Sequence, residues 1–242
     1  MKNFNKLVFL IPFLAIQSCK KEVETPKVIY DKNKKIEAVK AEKIDSSKIE
    51  IADLPIHFMG TKCLIHPIGD YRIYNSKASY SYGSSNAEQG SFKISNDDEF
   101  EITGFLSNFK FQQIDSDTLK TLTDKAVLIQ TATYLKLLSD KTKQQILVYT
   151  LADMDTNKDN KLDTNDIKTL YISDINGNKF TKLSTDFEEL IDWKFVEASS
   201  SLYFRSIEDT NKNGQFDKND LVNYNKLNLL DKNWKVENYK PI

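Results

Sequence analysis

Residues 155–166 read DTNKDNKLDTND, and fifty-four positions further on residues 209–220 read DTNKNGQFDKND. Both stretches set short oxygen-bearing side chains, Asp and Asn, at alternate positions. Such residues are poor core material, because burying them without a partner is costly. They are good material for surrounding a hard cation, which takes carboxylate, amide and carbonyl oxygens. A chain curling round one ion presents every second side chain inward, so the chemistry this spacing offers is oxygen ligation of a divalent ion, offered twice.

Numbered from their first Asp, both phrases resemble the EF-hand calcium loop, whose ligands stand at positions 1, 3, 5, 7, 9 and 12. The resemblance implies Asp155, Asn157, Asp159, the Lys161 carbonyl, Asp163 and Asp166 as ligands in the first loop. In the second it implies Asp209, Asn211, Asn213, the Gln215 carbonyl, Asp217 and Asp220. Position 8 is apolar in both, Leu162 and Phe216, and is expected to point back to the core. Position 6 needs a positive φ. Gly214 supplies it freely, and Asn160 enters the left-handed region at modest cost. Position 12 departs from the pattern, since Asp166 and Asp220 replace Glu and are one methylene short of easy bidentate reach. In this respect the loops are closer to the Asp-terminated calcium loops of dockerin-like modules than to intracellular sensors. The flanks depart as well: SLYFRSIE before Asp209 reads as strand, although Ile167, Leu170 and Tyr171 are spaced for one helical turn after the first loop. The expectation is two calcium loops grafted between strands. The alternative is a pair of solvated Asx-rich turns.

Little else in the chain offers chemistry. His57 and His66 are its two histidines, and CLIHPIGD sets Cys63, His66 and Asp70 close together. Strand alternation would put Cys63 and His66 on opposite faces, and two such ligands are too few for zinc. A buried thiol and an ordinary histidine are expected there. Trp193, Phe195, Tyr80 and Tyr82 are expected to fill a core rather than stack on a sugar.

The elements that must hold the two loops are short aromatic and β-branched runs between polar turns, which predicts an all-β domain. Predicted strands are KCLIHPIGDYRIY, ASYSY, GSFKIS, NFKFQQI, AVLIQTATYLKLL, QILVYTLA, TLYISDI, LIDWKFVEA, SLYFRSI and WKVENY. Asn176-Gly177 is the clearest hairpin turn, both residues tolerating positive φ. Sliding the chain by fifty-four residues also lays Tyr149 on Tyr203, Leu162 on Phe216 and Ile167 on Leu221, so the repeated unit is strand, acidic loop, strand. LYISDINGNKFTKLS resembles a blade phrase of TolB-like β-propellers, which implies a small or incomplete propeller with acidic loops inside its blades. The alternative is a β-sandwich or an open barrel. Seven glycines are few for many tight propeller turns.

The N-terminus sets the compartment. Lys2 and Lys6 precede an apolar run, Leu7 to Ile16, followed by Gln17-Ser18-Cys19. The run is too short to span a bilayer. It resembles a bacterial lipoprotein signal, which implies a signal peptide over 1–18, acylation of the Cys19 thiol and a membrane-anchored protein. The expected location is the outer membrane, with the domain facing the periplasm or the cell surface. Residues 19–50, rich in Lys and Glu, are expected to be a tether, and 51–242 the β domain. With Cys19 acylated, Cys63 has no partner for a disulfide. The 34 basic and 35 acidic residues lose Lys2 and Lys6 on cleavage, leaving 32 against 35 and a net charge of −3. That balance gives no electrostatic footprint for nucleic acid. The functional expectation is a lipid-anchored, calcium-binding β domain acting as a binding or interaction module. Its rival is a hydrolase or carbohydrate-active enzyme with two carboxylates in a concave pocket. A third possibility is a calcium-responsive regulator.

Overall fold

The computed structural model describes residues 26–30, 48–72 and 94–242. Its strands are β1 (Lys48–Ala52), β2 (Ile56–His57), β3 (Cys63–Arg72), β4 (Ser95–Asp98), β5 (Glu101–Gln113), β6 (Leu119–Thr121) and β7 (Leu128–Tyr134). After helix α1 (Lys136–Thr142) come β8 (Ile146–Ala152), β9 (Thr169–Asp174), β10 (Thr181–Lys182), β11 (Glu188–Val196), β12 (Ser201–Glu208), β13 (Leu221–Asn228) and β14 (Val236–Asn238). They form two antiparallel sheets. The larger runs β1-β3-β5-β7-β8-β9-β10, with β2 beside β3 and with β4 and β6 beside β5; the smaller runs β11-β12-β13-β14. Neither closes into a barrel. The expected all-β class is formed, in the sandwich-like arrangement held as the alternative. The propeller-like arrangement is not: the strands make one extended sheet with a four-stranded sheet against it, rather than successive blades.

Strand β8 explains why. All seven of its residues are buried, which is the reason ILVYTLA reads as a nearly unbroken apolar run. Leu147, Tyr149 and Leu151 face a core shared with Phe109, Phe111, Ile129 and Tyr134. Ile146 and Val148, on the other face, pack with Leu170 and Ile172 of β9 and with Leu190, Leu202, Phe204 and Leu227 of the smaller sheet. A strand covered on both sides in this way carries two cores at once. Burying side chains such as these stabilises by about 1.5–3 kcal/mol each, so the loop that leaves β8 starts from the most fixed part of the molecule.

Three local expectations are corrected. AVLIQTATYLKLL is not one strand: β7 stops at Tyr134, and α1 follows, with Leu138 fully buried and Lys143 ending the helix at φ 65°. The Asn176-Gly177 turn joins β9 to β10, but Gly177 (φ 70°) and Lys179 (φ 55°) take the positive angles and Asn176 does not. A Cβ on residue 177 would meet the Phe111 ring at 2.4 Å, which is why glycine is needed. The first acidic loop is followed by strand β9, with no helical turn through Ile167, Leu170 and Tyr171. ASYSY, most of GSFKIS, and Tyr80 and Tyr82 lie outside the described residues, as does Cys19. Trp193 and Phe195 are half-buried against the second core.

Candidate acidic-loop site

Each acidic loop joins two adjacent antiparallel strands. Residues 155–166 lie between β8 and β9 in the larger sheet, and residues 209–220 between β12 and β13 in the smaller one. The second loop is closed by the pair Glu208 and Leu221. The sequence repeat is thus also a structural one.

The two loops use the same hydrogen bonds at the same positions. Position 1 accepts from the amide of position 6: Asn160 N donates to Asp155 Oδ2 at 2.9 Å, and Gly214 N to Asp209 Oδ2 at 2.7 Å. Position 3 accepts from the amide of position 5, Asp159 N to Asn157 and Asn213 N to Asn211. Position 5 accepts from position 7, Lys161 N to Asp159 Oδ1 and Gln215 N to Asn213 Oδ1. Positions 4 and 6 are left-handed in both loops, with Lys158 at 58°, Asn160 at 66°, Lys212 at 56° and Gly214 at 82°. These angles bend the chain back on itself, and side chains 1, 3 and 5 each accept an amide of the same loop.

Position 12 is a clasp in both copies. Asp166 Oδ1 accepts from Thr156 N at 2.7 Å, while its Oδ2 accepts from Asp163 N at 2.9 Å. Asp220 repeats this with Thr210 N at 3.1 Å and Asp217 N at 2.8 Å. One carboxylate therefore pins positions 2 and 9 together and shuts the loop. Oδ1 takes further donors, Asn157 N on Asp166 and the Thr210 hydroxyl on Asp220, but Oδ2 accepts from one amide in each loop and keeps a second lone pair, so closing the loop and ligating an ion through Oδ2 are compatible. Burial raises the Asp166 carboxyl above its ordinary range; the amides of Asp163, Thr156 and Asn157 offset part of this, and Asp155 adds to it. A cation in the loop would act in the opposite direction.

The loops differ at position 1. Asp155 Oδ1 is buried and has no hydrogen-bond partner. Asp209, 3 % exposed, accepts from Gly214 N, from Asn213 N at 3.2 Å and from the Tyr30 hydroxyl. The phenol is held well above its ordinary pKa by burial and then by Asp209. A buried carboxylate oxygen without a donor carries a desolvation cost that a cation would offset. That orphan oxygen fits an ion. Among the described residues, no three carboxylate, thiol or imidazole groups stand together as a ready-made ligand set, so ligation would draw on the Asn amides and chain carbonyls as well. Leu162 and Phe216, expected to point into the core, are half-buried.

Sequence reasoning missed the residues that hold the loops together. Pro26–Tyr30, from the stretch expected to be tether, lies across both loops. Lys27 N and Val28 N donate to Gly214 O at 2.7 and 3.2 Å, and Ile29 N donates to Thr156 O at 2.8 Å. Thr156 Oγ1 donates to Lys27 O at 2.9 Å. Val28 is 2 % exposed. Glu189 ties the assembly to the smaller sheet, its Oε1 on Lys27 Nζ at 2.7 Å and its Oε2 on Lys168 N at 2.9 Å. One signal was available: Val-Ile-Tyr at 28–30 is an apolar triplet in an otherwise charged stretch. The tether boundary at residue 50 likewise falls inside β1.

The other candidates stay apart from the loops. Cys63 is 1 % exposed, and burial pushes its thiol up to about 11, the reverse of an activated nucleophile. His66 Nε2 lies 3.0 Å from Gln112 Oε1, and His57 Nε2 lies 2.9 Å from Thr61 O. A surface depression of about 450 Å³ over the smaller sheet is lined by Tyr203, Lys226, Asp231 and Glu237 among others. Both of those acids are exposed. Comparisons with protein-family models, with curated proteins and with solved structures give no match for this chain.

Proposed function

We propose that the chain is an exported β domain, anchored at the outer membrane through an acylated Cys19 and stapled by calcium in two loops, that serves as a binding or interaction module. The observation that carries the calcium reading is Asp155 Oδ1, a buried carboxylate oxygen without a donor inside a loop curled by two left-handed residues. The second loop, which repeats the Asx bonds and the position-12 clasp, supports it. The ligands are those named from the sequence, with Asp166 and Asp220 also holding the loops shut. Calcium here is structural. An exported domain without an internal disulfide meets a steady and high calcium supply, and stability rather than signalling is what such a site offers.

Isothermal titration of the metal-free protein with calcium tests this, alongside melting curves with and without chelator. Affinities of about 10⁻⁴ to 10⁻³ M are expected, as in extracellular modules, so that about 1 mM calcium adds on the order of 0.4 to 1.4 kcal/mol per site. Selectivity over magnesium should be modest, because the short Asp at position 12 suits single-oxygen contacts. A melting curve indifferent to chelator, with no heat of binding, would return both loops to plain polar turns.

A further inference from the structure

We propose that the acidic-loop end of the domain faces the membrane that carries its anchor. This rests on the reading of Cys19 as the acylated residue. Pro26–Tyr30 is seated by three backbone hydrogen bonds, the Lys27–Glu189 ion pair at 2.7 Å, the buried Val28 side chain and the Tyr30–Asp209 bond. It forms a strap that fixes where the chain leaves the domain. Six residues then separate Pro26 from Cys19. Whatever conformation they take, they reach at most about 25 Å. The first residue of the strap lies against Gly214, where a Cβ would stand 2.8 Å from Pro26 Cβ. Both loops therefore sit within a short leash of the headgroup layer. Helix α1 lies at the other end of β8, a further strand length of about 23 Å away.

Charge bears on the same surface. Four Asp against two Lys in the first loop and three against two in the second give the pair a net −3, and two divalent ions make it +1. Filled loops are thus freed from repulsion by anionic headgroups.

The test uses the full acylated chain in vesicles of phosphatidylethanolamine and phosphatidylglycerol carrying a headgroup nitroxide. A fluorophore is placed on Lys218→Cys in the second loop or on Leu137→Cys in α1; both positions are exposed, and the buried Cys63 is shielded from the reagent. Strong quenching at 218 with near-background quenching at 137 is expected. Val28→Asp, which expels the strap, should abolish the difference, because the nearest described attachment is then β1, twenty-nine residues from Cys19. Equal quenching at the two sites, or more at 137, in protein that floats with the vesicles overturns the orientation. Protein that does not float overturns the anchor reading itself, and the orientation with it.

Discussion

Gly214 answers two demands that usually fall on different residues. Its φ of 82° favours glycine, and a Cβ there would stand 2.3 Å from Val28 O. The left-handed penalty for an L residue is about 1–2 kcal/mol, and the clash adds to it, so Gly214→Ala should lower the denaturant midpoint and lift the strap, exposing Val28 to proteolysis. At the equivalent position of the first loop, Asn160 (φ 66°) is exposed, and Asn160→Gly should change the stability by about a few tenths of a kcal/mol and leave the denaturant midpoint nearly where it was. Asp53 makes a second residue-level case. Burial alone would raise its carboxyl, but hydrogen bonds from Ser95 Oγ and from the amides of Leu54, Ser95 and Ile94 hold it below the ordinary 3.8. A lowered folded-state value means the contribution is full above 3.8 and is lost as pH falls through the folded value. Asp53→Asn should therefore destabilise at about pH 7 and make little difference at about pH 2, measured as denaturant midpoints at both.

At the scale of elements, the two loops staple different sheets but share one strap, so their effects should couple rather than simply add. Asp155→Ala and Asp209→Ala should each remove part of the calcium-dependent rise in melting temperature, several degrees in all, and the double variant nearly all of it. Asp209→Ala should cost more in chelator, because it also removes the acceptor of the Tyr30 hydroxyl. Differential scanning calorimetry with and without chelator reads both effects. The loops were legible in the sequence because their structure is written in residue types: Asp or Asn at positions 1, 3 and 5 makes the same Asx bonds wherever it stands. Strand β8 was legible because burial on both faces leaves an unbroken apolar run. Strand β13, LVNYNKLN, was not. Its asparagines are poor strand formers, and they are tolerated because Asn223 Nδ2 reaches Glu188 Oε1 at 3.1 Å, Asn225 Nδ2 reaches Ser206 Oγ at 3.4 Å, and Asn238 Nδ2 reaches Asn225 Oδ1 at 2.9 Å. That polar ladder exists once four strands are already aligned. The propeller expectation failed for a related reason: LYISDINGNKFTKLS specifies a strand-turn-strand phrase but not which neighbours the strands take. The seat of the strap on both loops depends on the distant residues Thr156, Glu189 and Gly214, which no local pattern announces.

For the whole molecule, the strap changes what an anchor does. Without it, a lipid on Cys19 would hold a domain that begins at β1 on a leash of twenty-eight residues, free to present any face; with it, the leash is six. The anchor itself is open to a direct check. No helix among the described residues is long and apolar enough to cross a membrane. The net charge, −1 for the full chain and −3 if the signal over 1–18 is removed, gives no general attraction to an anionic surface. Membrane retention should then depend on the thiol's acyl chains, each buried CH₂ adding about 0.8 kcal/mol. Cys19→Ser should move the chain into the soluble fraction after a high-salt wash, while circular dichroism and the calcium-dependent melting shift stay as in the unaltered chain, because residue 19 lies outside the strap. Persistence of the Cys19→Ser chain in the washed membrane fraction would show that another part of the surface holds it there, and that the thiol is not its anchor.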